Sequence, residues 1–101
     1  MIVRLLIDEY QRGDFEYRVT HEGEEWFADA GLGSLEACLG AALDGLGQDA
    51  LAVELAYKGV VSGTYALASL ALAAPQIAEH ARNTTEAIED LLRQAGGLKR
   101  S

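Results

Sequence analysis

From Gly59 to Ala78 the chain reads GVVSGTYALASLALAAPQIA, a run without a charged side chain in a protein of which 24% of residues are charged. Such a run must cross a membrane, be buried in a fold or form a surface kept for a partner. A spanning helix needs about 20 predominantly apolar residues. Here Gly59, Ser62, Gly63, Thr64, Ser69, Pro75 and Gln76 interrupt the run, and much of the remainder is Ala. The residues therefore argue against a span. Val60 to about Leu67 reads as the returning strand of a hairpin, ASLALAA as a buried connection or one helical turn, and Pro75 as the first turn of a helix.

The strand before it, LAVELAYK, alternates, with Leu51, Val53, Leu55 and Tyr57 on one side and Ala52, Glu54 and Ala56 on the other. A three-residue loop at Tyr57-Lys58-Gly59 places Leu55 opposite Val61, Val53 opposite Gly63, Leu51 opposite Tyr65 and Glu54 opposite Ser62. Nearer the start, IVRLLID (Ile2 to Asp8) reads as a strand, and FEYRVT alternates with Phe15, Tyr17 and Val19 on one face. EYQRGD is the turn between them. EWFAD forms a third strand after a turn at Glu22-Gly23, with Val19 opposite Trp26 and Tyr17 opposite Ala28. That register puts Phe27 on the other face, near Arg18.

DAGLG breaks the strand pattern, and Ser34 suits the N-cap of a helix opening at Leu35, with Glu36 in its first turn. Leu35, Cys38, Leu39, Ala42, Leu43 and Leu46 share one stripe, and Gly47 ends the helix. From Pro75, Ile77, Ala81, Thr84, Ile88, Leu91 and Ala95 form a second stripe, with Glu79, Arg82, Glu86, Glu89 and Arg93 facing water. Gly96-Gly97 is expected to stop this helix. The order β-β-β-α-β-β-α implies one α+β domain over residues 1–97, with residues 98–101 a frayed tail. Its expected architecture is an antiparallel sheet of about five strands with both helices packed on one face.

Length and composition limit this domain to one modest core: the chain has 101 residues, half of them apolar, and the commonest apolar types are the 17 Ala and 15 Leu. Cys38 is the only cysteine, which excludes an internal disulfide and suits a reducing compartment. The first ten residues resemble no export signal, so the expected location is cytoplasmic, with no membrane association.

Sixteen acidic against eight basic residues give a formal charge of −8. A field of that sign repels nucleic acid, and Lys99-Arg100 is a tail rather than a basic patch. His21 and His80 have no ligand spacing around them, so no metal or cofactor is expected. Cys38 falls on the buried stripe, which suits a core residue better than a nucleophile. GLGS at 31–34 lies where a phosphate loop would, but it lacks the third glycine and the lysine, and Asp29 and Glu36 flank it. It reads as a loop and cap. The adjacent carboxylates, such as Glu24-Glu25 and Glu89-Asp90, point in different directions in a strand or helix, so no enzyme is indicated.

Within the first 46 residues, FEYRV followed by EEWFADAGLGSLEACLGAAL resembles the partial RNase H-like half of HicB-type antitoxins in its strands, Gly-Ser turn and Ala/Leu-rich helix. The resemblance implies a related fold for that half. It carries over no functional residue, and neither the family's C-terminal DNA-binding element nor this second hairpin has its counterpart in the other.

These features suggest a small acidic, non-enzymatic inhibitor that occludes a basic, nucleic-acid-binding surface of a partner protein or ribonucleoprotein. In size and charge alone it is similar to anti-CRISPR and toxin-immunity proteins. The candidate partner-binding residues are Asp8, Glu9, Asp14, Glu16, Glu22, Glu24 and Glu25 for steering, with Trp26 or Phe27 as anchor. The alternative is a homo-oligomeric domain, a homodimer for example, that binds a small molecule or scaffolds an assembly. It would use the sheet face bearing Ile2, Leu6, Phe27, Ala52, Ala56 and Val60 among Arg4, Glu16, Arg18, Glu25 and Glu54.

Overall fold

A computed structural model describes residues 1–47 and 50–100, with 96–100 as helical backbone only. The elements are β1 (Ile2–Gln11), β2 (Asp14–His21), β3 (Glu24–Leu32), α1 (Leu35–Leu46), β4 (Ala52–Tyr57), β5 (Val60–Ala66) and α2 (Leu67–Arg100). They form an α+β domain in which the sheet order is β3-β2-β1-β4-β5. The sheet is mixed where a purely antiparallel one was expected: β1 and β4 run parallel at its centre, with Ile2 opposite Ala52 and Ile7 opposite Tyr57. Helix α1 is the reason. It carries the chain back from the end where β3 finishes, so β4 sets out in the same direction as β1.

Odd-numbered residues of the central strands form the covered face. Val3, Leu5, Ile7, Tyr17, Val19, Val53, Leu55 and Tyr57 pack with Leu35, Cys38, Leu39, Ala42 and Leu46 of α1 and Leu70, Ile77, Ala78 and Ala81 of α2. The α1 stripe agrees with its sequence pattern. Ser34 caps it by accepting a hydrogen bond from the Ala37 amide at 3.0 Å, and Gly47, at φ 56°, closes it. The GLGS stretch thus supplies a strand end and a cap. β3 continues to Leu32, beyond the break expected at DAGLG.

Two hairpin registers differ from expectation. The turn at Glu22-Gly23 is present, both residues having positive φ, and Thr20 pairs with Glu25. A bulge then inserts Trp26, so Val19 faces Phe27 and Tyr17 faces Asp29. Phe27 consequently packs against the core, its ring 6.2 Å from that of Tyr17 in an edge-on arrangement. Its expected place on the uncovered face is wrong by one residue. In the other hairpin the loop is Lys58-Gly59 alone, again with positive φ at both, so Tyr57 pairs with Val60. A second bulge near Ser62 brings Leu55 opposite Gly63 and Val53 opposite Tyr65. Leu51 lies before β4 and is 75% exposed, not part of the buried row.

α2 starts eight residues before its Pro75 signal. Leu67–Leu72 already form helix, which breaks at Ala73 (φ −125°, ψ 27°) before resuming through Pro75. The break accommodates a ring that cannot donate to the preceding turn. The helical backbone then continues through Gly96-Gly97 to Arg100, where a stop was expected, and Ser101 lies outside the described residues.

Burial also fixes how Cys38 behaves. It is fully buried, and loss of hydration, together with the nearby Asp29 carboxylate, pushes its pKa from 9.0 up to about 11. Burial also raises Tyr17, aided by Asp29 and Cys38, and Tyr57, aided by Glu9. Each group is neutral when protonated, so its burial is uncompromised below the ordinary pKa and becomes unfavourable as pH rises toward the raised value. The urea midpoint should therefore hold from pH 7 to about 9 and fall between about 9 and 11. A thiol reagent at pH 8 should label Cys38 only after unfolding. Rapid labelling of the native protein would contradict the burial.

Candidate acidic interface at the distal end of the sheet

The strands give the sheet two ends. Ile2, His21, Glu24, Ala52 and Ala66 mark the proximal end, and Gln11, Asp14, Leu32, Tyr57 and Val60 the distal end. The candidate carboxylates divide between them. Glu22, Glu24 and Glu25 surround the proximal β2–β3 turn, whereas Asp8, Glu9, Asp14 and Glu16 lie toward the distal end. Six residues of extended chain separate Glu16 from Glu22, about 20 Å at the usual rise. The structure does not bring all seven together.

The distal group has the closer geometry. Asp8 and Glu16 are directly opposite on β1 and β2, on the face that carries no helix. Glu9 projects to the helix side, where its carboxylate accepts the Gly13 amide at 2.9 Å and lies 3.9 Å from Lys58 Nζ. Lys58 also stands 5.4 Å above the Tyr57 ring, and Phe15 stacks on that ring at 6.4 Å. Like charges placed opposite one another disfavour the fold slightly unless a cation is supplied. Asp8 and Glu16 have no ion-pair partner among the described residues.

Helix α2 brings further acids to this end, on the face that its periodicity turns toward water. It begins at the proximal end, where the Leu67 amide donates to the Leu51 carbonyl, and reaches the distal end where the buried Thr85 hydroxyl donates to the Tyr57 carbonyl at 3.1 Å. Glu86 and Glu89 lie close enough to Tyr57 to add to the rise in its pKa, after burial and Glu9. Arg82 bonds Glu36 of α1 at 2.6 Å, half-exposed and so worth only tenths of a kcal/mol. Thr85 is thus level with the end of β4 at Tyr57. The fifteen residues that follow span about 22 Å at 1.5 Å each, and the molecule measures 52 × 27 × 26 Å. Asp90 and Arg93 pair with one another on this stretch.

The expected anchors lie elsewhere. Trp26 and Phe27 are both half-buried and pack against the core, Trp26 at the proximal end with its ring 5.6 Å from that of His21. The uncovered sheet face agrees with expectation for Ile2, Leu6, Ala52 and Ala56 but lacks Phe27. A shallow hollow of about 390 Å³ opens there, lined by Ile2, Leu6, Thr20 and the Arg4–Glu54 pair, whose Nε–Oε1 distance is 2.9 Å. A larger one, about 490 Å³, lies beside Met1, Glu24, Glu25 and Trp26. His80 stands on the exposed side of α2 with Thr84 Oγ1 3.5 Å from its Nε2. Among the described residues no three His, Cys, Asp or Glu side chains cluster as a metal site would, and no helix is long and apolar enough to cross a membrane.

No family model, curated protein or solved structure matches this chain.

Proposed function

We propose that this protein is a non-enzymatic binding module that presents its carboxylates to a basic surface of a partner protein or ribonucleoprotein and occludes it, as an inhibitor of nucleic-acid binding would. The observation that carries this reading is the convergence at one end of the molecule of Asp8, Glu9, Asp14 and Glu16 from the sheet with Glu86 and Glu89 from α2. Convergent like charge steers association with an opposite surface and makes it salt-sensitive. The separate proximal acids, Glu22, Glu24 and Glu25, extend the same field. Anti-CRISPR-like and immunity-like roles both fit this logic. A reducing cytoplasm suits the single buried thiol.

Affinity capture from a bacterial lysate at low and high salt tests this reading when run beside the triple reversal Asp8→Lys, Asp14→Lys, Glu16→Lys. The expected result is a stoichiometric basic partner that is released by salt and absent with the variant. Retention indifferent to both salt and reversal would refute it. The second reading, a homo-oligomer closed through the uncovered sheet face, draws on Ile2, which is 58% exposed, and on Leu6 beside it. It requires a dimer mass that survives high salt and is lost on Leu6→Glu.

A further inference from the structure

We propose that the hollow beside Trp26 seats an arginine side chain of the partner, its guanidinium lying against the indole and pairing with Glu24 and Glu25. This rests on the basic-partner reading above and names the group that the proximal acids recognise.

The local backbone builds the seat. β3 is an outer strand of the sheet, and its bulge at Trp26 sets one residue out of step with β2. A bulge re-aims the side chain it carries. The indole is held from behind: it packs against the core and meets the His21 ring at 5.6 Å, the two planes inclined by 57°. With Met1, Glu24 and Glu25 it lines a hollow of about 490 Å³.

The chemistry of that lining selects the guest. A cation over an indole face is attracted by the ring quadrupole, and more strongly where water is partly excluded. Glu24 and Glu25 are exposed and have no ion-pair partner among the described residues. Met1, 50% exposed, supplies an apolar wall for the methylene stem of a long side chain. An aromatic face beside two carboxylates suits a planar cation best. A guanidinium stacks on the ring while its fork of donors reaches the carboxylates, whereas an ammonium is a strongly hydrated point charge.

Other surfaces lack this combination. On the uncovered sheet face Arg4 itself takes the cation's place beside Glu54. A hollow of about 420 Å³ between the end of α1 and the start of α2 is lined by Leu43, Leu67, Ala68 and Ala71, with Asp44 its one charged residue. The stripe at Ile88 and Leu91 of α2, 38% and 60% exposed, brings no aromatic face. The seat is also compatible with steering by the distal acids. Glu16 and Glu22 are about 20 Å apart along β2, less than the roughly 30 Å breadth of an interface of standard size.

The probes are two peptides of about eight residues, long enough when extended to reach along the sheet, in which serine alternates with arginine in one and with lysine in the other. Affinity is read at low salt by the anisotropy of labelled peptide, and occupancy of the hollow by the emission of Trp26, the chain's one tryptophan, with unlabelled peptide. The arginine peptide should bind at least about threefold more tightly than the lysine peptide and change that emission. The double variant Glu24→Gln, Glu25→Gln should erase both the preference and the emission change without altering the melting temperature, since both side chains are exposed. Trp26→Leu should erase the preference while salt-sensitive binding persists. Equal affinity for the two peptides, a preference that survives the glutamine variant, or unaltered emission would overturn the proposal. Equal affinities that fall with salt and with Asp8→Lys, Asp14→Lys, Glu16→Lys would remove the arginine seat and leave the basic-partner reading. Failure of both peptides to bind at low salt would remove both.

Discussion

Leu55→Ala is expected to lower the unfolding free energy by about 2–5 kcal/mol, the range for emptying a leucine site in a packed core. Leu55 has no exposed surface and lies on a central strand between Leu5 of β1 and Gly63 of β5. Its surroundings cannot readily close the gap. The neighbour at Gly63 contributes no side chain, and the Tyr65 ring already occupies the space above it: a Cβ at position 63 would stand 2.9 Å from the Tyr65 hydroxyl. The alanines of α1 and α2 are too short to move in. Since a domain of this size has about 5–15 kcal/mol in all, the urea midpoint should fall by roughly 2 M or more at a slope near 1 kcal/mol/M. A loss below about 1 kcal/mol with an unchanged slope would mean that the core repacks and that Leu55 is not enclosed as described.

Phe27→Ala should cost about 1.5–3 kcal/mol, less than a fully buried phenylalanine because one side of the ring remains open. Its partner is Gly45 on α1, where an added Cβ would lie 2.6 Å from Phe27 Cε2. The glycine is therefore an accommodation to the ring. Gly45→Ala alone trades a helix-propensity gain of about 1 kcal/mol against that collision. Made together with Phe27→Ala, it should recover about 0.5–1 kcal/mol of the loss. A cycle of the two single variants and the double variant, each unfolded in urea, reads this coupling. If Gly45→Ala is equally favourable in both backgrounds, the ring does not rest on the glycine.

Phe27 also shows where sequence reasoning stopped. Apolar runs, alternation and turn signals together identified the five strands, the Ser34 cap and Gly47 identified both ends of α1, and the covered faces of β1, β2 and β4 agree with their patterns. Period-two patterns say nothing of bulges, and one extra residue at Trp26 was enough to bring Phe27 onto the covered face, where Trp26 also packs. The second hairpin kept its faces despite a wrong register, because Leu55 was displaced by two partners rather than one. The parallel seam was not legible either, since strand direction depends on where α1 delivers the chain and not on the strand residues.

The candidate interface was legible only in part. The N-terminal acids could be named, but their separation into two groups about 20 Å apart follows from hairpin geometry. The contribution of Glu86 and Glu89 depended on the direction and length of α2. The Gly96-Gly97 pair looked like a stop, and glycines do weaken helices by about 1 kcal/mol each, yet the backbone remains helical to Arg100. The stripe at Ile88 and Leu91 was read as core because periodicity reports which side of a helix is apolar, not whether anything lies opposite.

The parallel pairing of β1 with β4 also governs how quickly the chain can find its fold. Residues 50 apart in sequence meet along this seam, whereas β1, β2 and β3 can assemble as a meander through short turns. Closing so long a loop consumes chain entropy before the seam returns any burial. The N-terminal meander with α1 should thus organise first, and Leu5, which faces Leu55 across the seam, should register late in the folding rate. A break in the chain between α1 and β4 would leave two pieces, each bearing half of the same hydrophobic face, that complete one another only on meeting.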